Sequence, residues 1–291
     1  SFKLRKTTNS LLSFNNLLLS TYFNFFLIIN FISIFTFNIL LFNKLNINLI
    51  KIISAIIIIS GLYKPVYLYS FKKFFETKDK KLIIVYLILF FYFILSLNPI
   101  TDPDSLDYHF TIPYYQIEYG NSQFYKYWLH SQLSGSGESL FLYSIVFGGF
   151  HFSQILQFFS LFVIILIILN FEHNQIIINN QKRLFASLSL LSMPALLFLV
   201  STSKPQLFPI ATNFICLLFS LFYLKKLENK NLILGFFLLV FLLFSSTQMK
   251  FSFLLSSGII LIFSIYQIYS KGYLVKSLAI VSILFVLILL P

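Results

Sequence analysis

Charge is scarce in this chain. Asp, Glu, Lys and Arg make up 10% of its 291 residues, against 58% hydrophobic residues, whereas an ordinary soluble domain carries about 25% charge. Such a chain cannot clothe a globular surface in polar groups, which excludes a soluble enzyme of this length and a disordered polymer alike. Cysteine is almost absent: Cys216 stands alone, so there is no internal bridge and no hint of redox compartment. No glycine-rich phosphate cradle occurs anywhere, which removes the usual nucleotide-binding loops. What remains is a polytopic membrane protein, and its net charge of +12 poses the question of which side holds the excess.

A membrane-crossing helix needs about 20 mostly apolar residues. By that ruler, apolar runs fall near 17–42, 47–63, 82–98, 151–171, 184–200, 207–224, 232–247, 251–269 and 277–291. They are continuously apolar rather than alternating, so the expected fold is an all-α transmembrane helical bundle of about nine spans, not a barrel. The first run follows Lys3, Arg5 and Lys6, is long, and lacks a small-residue cleavage site; it reads as a retained anchor. The chain stops just after an apolar run, and a carboxy-terminal part is expected beyond it. Residues 1–291 read as one transmembrane domain, with residues 1–81 supplying two amino-terminal spans and a basic loop.

If each run crosses once, the basic segment 64–81 shares a side with residues 1–16, 172–183, 225–231 and 270–276. That side then holds sixteen basic and four acidic residues, and the other holds five of each. Basic loops stay cytoplasmic, so the amino terminus is expected inside a bacterial inner (plasma) membrane and segment 99–150 outside. The excess charge becomes an address against anionic lipid, with no need of nucleic acid. Residues 139–149 are apolar but too short to cross, and are expected to form a short helix at the outer interface.

The outer segment 99–138, PITDPDSLDYHFTIPYYQIEYGNSQFYKYWLHSQLSGSGE, holds five of the nine acidic residues, two of the four histidines and the one tryptophan. A connection this long is usually functional or disordered, and its many tyrosines argue against disorder; an aromatic belt at the interface is the plainer reading. Asp102, Asp104, Asp107 and His109 lie within eight residues, where like charges repel unless a cation, a shared proton or a polar substrate balances them. Pro99 and Pro103 stop the preceding helix. A helix from Ser105 onward places Asp104 and Tyr108 on one face and Ser105 and His109 on another. One carboxylate would accept the proton of an attacking hydroxyl while another binds sugar hydroxyls or a divalent cation. Asp102 and Asp104 would be the ligands of such a cation. His109, His130 and His151 share no ligand-like spacing, and a histidine-built metal centre is not expected. Glu138 stands where it caps a helix start or touches substrate.

The stretch PITDPDSLDYHFTIPYYQIEYG in a first large outer loop resembles the integral-membrane glycosyltransferases of the GT-C class. The resemblance is to the bacterial branch related to protein mannosyltransferases and lipid A aminoarabinose transferases. It extends to GESLFLYSIVFGG as the short segment before the next span and to SMPALLFLVSTSKPQLFPIATNFICLLFSLF as a following hairpin, covering about residues 80–260. It implies an essential acidic residue at Asp102 or Asp104, with Asp107, Tyr108 and His109 contributing to substrate binding. It also implies a donor sugar on a polyprenyl phosphate, and hence a basic group for the phosphate. Lys204 and Lys250, at tips of short hairpins on the side poor in positive charge, are the candidates, Lys204 ahead of Lys250; snorkelling to the interface is the alternative. The acceptor would be a glycan, lipid or protein. Two competing readings are an ion-coupled transporter or lipid flippase, disfavoured because the spans hold almost no charge, and a non-catalytic membrane scaffold.

Overall fold

A computed structural model describes residues 17–41, 48, 50–52, 82–119, 135–146, 148–149, 151–170 and 179–289. The run at 47–63 lies largely outside the described residues, as do the basic segment 64–81, Lys126, Trp128, His130, Glu172 and His173. Every element among the described residues is helical. In chain order they are α1 (Leu17–Leu41), α2 (Ile83–Leu95), a π-helical turn (Ser105–His109), α3 (Thr111–Tyr119), α4 (Ser136–Ser139) and α5 (Leu142–Val146). Then follow α6 (Phe152–Asn170), α7 (Asn180–Leu191), α8 (Pro194–Ser201), α9 (Leu207–Phe222) extended by a 3₁₀ turn (Leu224–Lys226), α10 (Asn229–Met249), a 3₁₀ turn (Phe251–Phe253) that leads into α11 (Leu254–Tyr269), and α12 (Leu274–Leu289).

Nine spans were expected, and the described helices of crossing length number five: Leu19–Leu41, Phe152–Asn170, Leu207–Lys226, Asn229–Met249 and Phe251–Tyr269. The run at 184–200 is a pair, α7 and α8, bent by 63°, and makes a sixth span only if the two count as one. The cause of the bend is local. Pro194 has no N–H for the helix ladder, and it forces Met193 into an extended conformation (φ −74°, ψ 118°). Two further runs give short helices. At 1.5 Å per residue the 13 residues of α2 and the 16 of α12 reach roughly 20 Å and 24 Å, less than the ~30 Å of a bilayer core.

One apolar core runs through α1, α6, α9, α10 and their neighbours. Phenylalanine rings fill it: Phe26 stacks on Phe208 at 4.9 Å between centroids, and Phe23 meets Phe219 at 5.0 Å. Such pairs add about 0.5–1.5 kcal/mol beyond area burial. Small hydroxyls stitch helix to helix. Asn213 of α9 donates to Ser256 and Ser257 of α11 and accepts from Ser246 of α10, while Ser220 pairs with Ser264. The outward faces are apolar too: Leu87, Phe90 and Phe91 of α2, Ile259 and Ile262 of α11, and Val286 and Leu287 of α12 are exposed.

The helices set up two ends. α6 and α9 start together, since Gln157 Oε1 accepts from the Leu207 N–H at 2.7 Å. α10 and α12 both return to that end, where Gln248 Nε2 donates to the Ile288 carbonyl at 2.6 Å. This end carries Asp102, Asp104, Asp107, Glu118 and Glu138. The opposite end gathers Lys182, Arg183, Lys225, Lys226, Lys230, Lys271 and Lys276. There Arg183 donates to the Leu169 carbonyl and Lys271 to that of Leu227.

Candidate functional site at the acidic end

The acidic turn begins with a cap. Asp102 Oδ2 accepts from both the N–H and the hydroxyl of Ser105, each at 2.9 Å, and its carbonyl takes the first helical bond from Leu106 N at 3.1 Å. A carboxylate just ahead of a first-position proline suits a helix start. The ladder then slips by one residue: Phe110 N donates to the Ser105 carbonyl at 2.9 Å, the five-residue spacing of a π-turn. The expected facing holds in this wider turn. Ser105 and His109 are buried, while Asp104, Leu106 and Asp107 are exposed and Tyr108 is intermediate. Burial, followed by the negative charges of Glu138, Asp104, Asp102 and Asp107, pushes the Tyr108 hydroxyl up to about 12, so it stays a donor at any physiological pH.

Lys204 reaches this turn from a position 100 residues further along the chain. Its ammonium donates to Asp104 Oδ2 at 2.8 Å and lies 3.3 Å from Asp102 Oδ2, with the Phe198 ring centroid at 4.8 Å. The Lys204 and Asp102 side chains are 10% and 14% exposed, and Asp104 is 57% exposed. Asp102 is thereby occupied on one oxygen by cap and cation, while Asp104 faces outward. The loop that carries Lys204 is held by residues that sequence reasoning passed over. Ser203 N donates to Ser105 Oγ at 3.1 Å, and Ser203 Oγ pairs with Ser153 Oγ at 2.7 Å. Gln154 Nε2 donates to the carbonyls of Asn98 and Ser201, tying the end of α2 to the end of α8.

Glu138 caps a helix start, as expected, and also grips a second element. It is 2% exposed. Oε1 pairs with His109 Nδ1 at 2.8 Å, and Oε2 accepts from the Gly135 N–H at 2.8 Å, so it caps its own short helix and anchors the acidic turn. The glycines around it admit close backbone approach. A Cβ on Gly135 would fall on the Gln248 carbonyl oxygen and 2.7 Å from that of Met249; one on Gly137 would lie 2.8 Å from Pro205 Cβ. The segment from Gly135 to Glu138 is thus wedged between the Lys204 loop and the end of α10. α1 joins through Ser33, which donates to the Ser136 carbonyl at 2.5 Å, and through Thr36, which pairs with Tyr143. Buried atoms nearby without a hydrogen-bond partner among the described residues are His109 Nε2, Gln116 Oε1, Ser136 Oγ and Ser139 Oγ.

Lys250 follows α10 directly and lies in the electrostatic reach of Glu138, Lys204 and Asp104. Burial pulls its pKa down and Lys204 adds to that, against the opposite pull of the two carboxylates. Its ammonium makes no ion pair or hydrogen bond among the described residues. The structure therefore brings together Asp102, Asp104, Tyr108, His109, Glu138, Lys204 and Lys250, with Asp107 exposed on the outer face of the same turn. His151 lies apart, its Nδ1 3.2 Å from Gln154 Oε1. Among the described residues no three His, Cys, Asp or Glu side chains gather as a metal-ion site; the Asp102 and Asp104 Oδ2 atoms converge on the Lys204 ammonium.

A protein-family model for the DUF1420 N-terminal domain matches residues 28–291, and the chain belongs to that family. No curated protein and no solved structure matches it.

Proposed function

We propose that this member of the DUF1420 N-terminal domain family is a membrane glycosyltransferase, moving a sugar from a polyprenyl-phosphate donor to an acceptor hydroxyl at the outer face of a bacterial inner membrane. One observation carries the reading: an acidic turn and two lysines, far apart in sequence, meet at the end of the bundle opposite the basic loops. On this reading the exposed apolar helix faces meet lipid. The bent pair α7 and α8, the two short apolar helices and the run at 47–63 complete nine crossings with the five long helices, and the basic end lies in the cytoplasm.

Asp104, the more exposed carboxylate, accepts the proton as the acceptor oxygen attacks the anomeric carbon. The bond from that carbon to the phosphate oxygen breaks, and its electron pair leaves on the phosphate. Lys250, the ammonium without a carboxylate in contact among the described residues, receives the phosphate, and Lys204 is shared between phosphate and Asp104 as charge moves from one to the other. Asp102 holds the turn. Tyr108 and the buried polar atoms beside His109 and Glu138 offer hydrogen bonds to sugar hydroxyls. Positioning and one general base account for the protein's share of such a reaction. The described spans carry no Asp, Glu, Lys, Arg or His in their interiors, which weighs against an ion-coupled transporter.

The test uses membranes containing the complete protein, a labelled polyprenyl-phosphate sugar and an acceptor extract. Asp104→Asn is expected to lower transfer by about 10²–10⁴-fold; full transfer by Asp104→Asn would overturn the mechanism. Cysteines placed at Glu118 and Lys225 are expected to label from opposite sides of sealed vesicles, and labelling from one side would overturn the orientation.

A further inference from the structure

We infer that Ser105 is a positioning residue of the acidic end: its hydroxyl decides which of two aspartates the Lys204 ammonium grips. What this does for catalysis rests on the glycosyltransferase reading, whereas the contact itself is there without substrate and is tested without it. Two carboxylates compete for one cation. Lys204 Nζ lies 2.8 Å from Asp104 Oδ2 and 3.3 Å from Asp102 Oδ2. Burial alone would favour Asp102, whose side chain is 14% exposed against 57% for Asp104, because an ion pair strengthens where water is excluded. The lysine nevertheless sits closer to the exposed partner.

Ser105 supplies the reason in two ways. Its N–H and its hydroxyl both donate to Asp102 Oδ2 at 2.9 Å, so the oxygen nearest Lys204 is already engaged and pulls less on a further donor. The same hydroxyl accepts from the Ser203 N–H at 3.1 Å, which pins the backbone of the residue next to Lys204. A hydroxyl has one proton and two lone pairs; here the proton goes to Asp102 and a lone pair receives Ser203, so turn and loop are held by one atom. Pro205 follows Lys204 and disfavours a helical backbone there, leaving the loop little freedom to re-aim the ammonium. Ser105, Ser203 and Ser153, which pairs with Ser203 Oγ at 2.7 Å, are all fully buried, so water does not compete for these bonds. Without the Ser105 hydroxyl, Asp102 loses a donor and the lysine loop loses its tether. Lys204 then moves toward Asp102 and away from Asp104, the carboxylate that accepts the proton on the proposed mechanism.

The test is zero-length carbodiimide coupling in the purified full chain, read on the monodisperse fraction in a nonionic detergent. The reagent joins an amine to a carboxylate in contact as an amide, and tandem mass spectrometry assigns the Lys204 bond to Asp102 or to Asp104. Ser105→Ala is expected to lower the ratio of Asp104 to Asp102 bonds by about three- to tenfold, the effect of one hydrogen bond. Ser153→Ala removes a hydrogen bond equally buried but not shared with a carboxylate, and is expected to leave the ratio unchanged. Asp102→Asn added to Ser105→Ala is expected to return the Asp104 bond to its original yield, since asparagine still caps the turn but no longer attracts the cation. A loss of packing alone would lower both bonds together rather than exchange them. In the transfer assay Ser105→Ala is expected to cost about 10- to 100-fold, with part of the loss recovered on adding Asp102→Asn. A ratio unmoved by Ser105→Ala, a ratio moved as far by Ser153→Ala, or no return of the Asp104 bond with Asp102→Asn would each overturn the inference. Absence of transfer by the unsubstituted protein would overturn the glycosyltransferase reading instead, and the coupling ratio would still decide for or against Ser105.

Discussion

At the acidic end, Lys204 lies 2.8 Å from Asp104 and 3.3 Å from Asp102. At the basic end, Lys271 donates to a backbone carbonyl and Lys276 stands over a tyrosine ring. The first cation is held by side chains that the fold must bring from 100 residues away, while the second pair sits on the short turn between α11 and α12 (Lys271) and in the first turn of α12 (Lys276). The acidic end therefore depends on ion pairs drawn from distant parts of the chain for its charge arrangement, whereas at the basic end Lys271 is held by a backbone carbonyl 44 residues away. On the proposed function, a cytoplasmic address needs only the number and sign of charges, whereas chemistry needs distances.

The sharpest way to break this contrast is to disturb one glycine at each end. Gly135→Ala would drive a methyl group into the Gln248 and Met249 carbonyls. Those are backbone atoms that cannot swing aside, so the variant is expected to fail to accumulate as folded protein or to lose more than about 3 kcal/mol of stability. Gly272→Ala meets nothing within 4 Å and suffers only from its positive φ, a cost of about 1–2 kcal/mol. Thermal unfolding monitored by size exclusion in detergent separates the two. Similar losses would mean that the acidic end is no more tightly packed than the basic one.

A smaller effect separates the lysines themselves. Lys204→Met leaves Asp102, nearly buried, without its cation. Removing one partner of a buried pair is strongly destabilising, but the exposure of Asp104 discounts the total to about 1–3 kcal/mol. Asp102→Asn added to Lys204→Met is expected to recover part of the loss, because the pair acts as a unit. Lys276→Met, at the solvated end, is expected to change stability by no more than about 0.5 kcal/mol. Equal effects of Lys204→Met and Lys276→Met would remove the distinction between the ends.

Much of the acidic end is legible in the sequence because polar residues are conspicuous in so apolar a chain. Pro99 and Pro103 end one helix and start the next, and the Asp102 cap is a matter of three neighbouring residues. Lys204 and Lys250 stand out on a side short of positive charge. The ranking of the two lysines is harder to read: which one a carboxylate grips depends on how α8 and α10 end in space. Ser153, Gln154 and Gln157 look like minor interruptions of an apolar run, yet they hold α2, α8 and α9 together across 50 residues or so of chain. Hydrogen bonds at that range leave no local pattern. Helix length misleads in a different way. Composition counts 82–98 as one run, but the helix stops at Leu95, and the run at 184–200 contains Pro194, a local signal that weighs against a straight span.

The last and smallest effect concerns the protonation of Lys250. Because the native state disfavours its ammonium, chiefly by burial, the residue opposes folding while protonated. That opposition fades as pH rises through its lowered native pKa toward the ordinary lysine value of 10.5. Lys250→Met is therefore expected to raise Tm slightly at neutral pH, with the gain shrinking under alkaline conditions, whereas Lys276→Met should show no such trend. If Lys250 also receives the donor phosphate, its positive charge is needed for binding, and the alkaline limb of transfer falls below pH 10.5. Lys250→Arg keeps its charge at any pH the protein survives and should move that limb upward even if it lowers the maximal rate. An alkaline limb unmoved by Lys250→Arg would return the phosphate to Lys204, and the acidic end would then have one working cation rather than two.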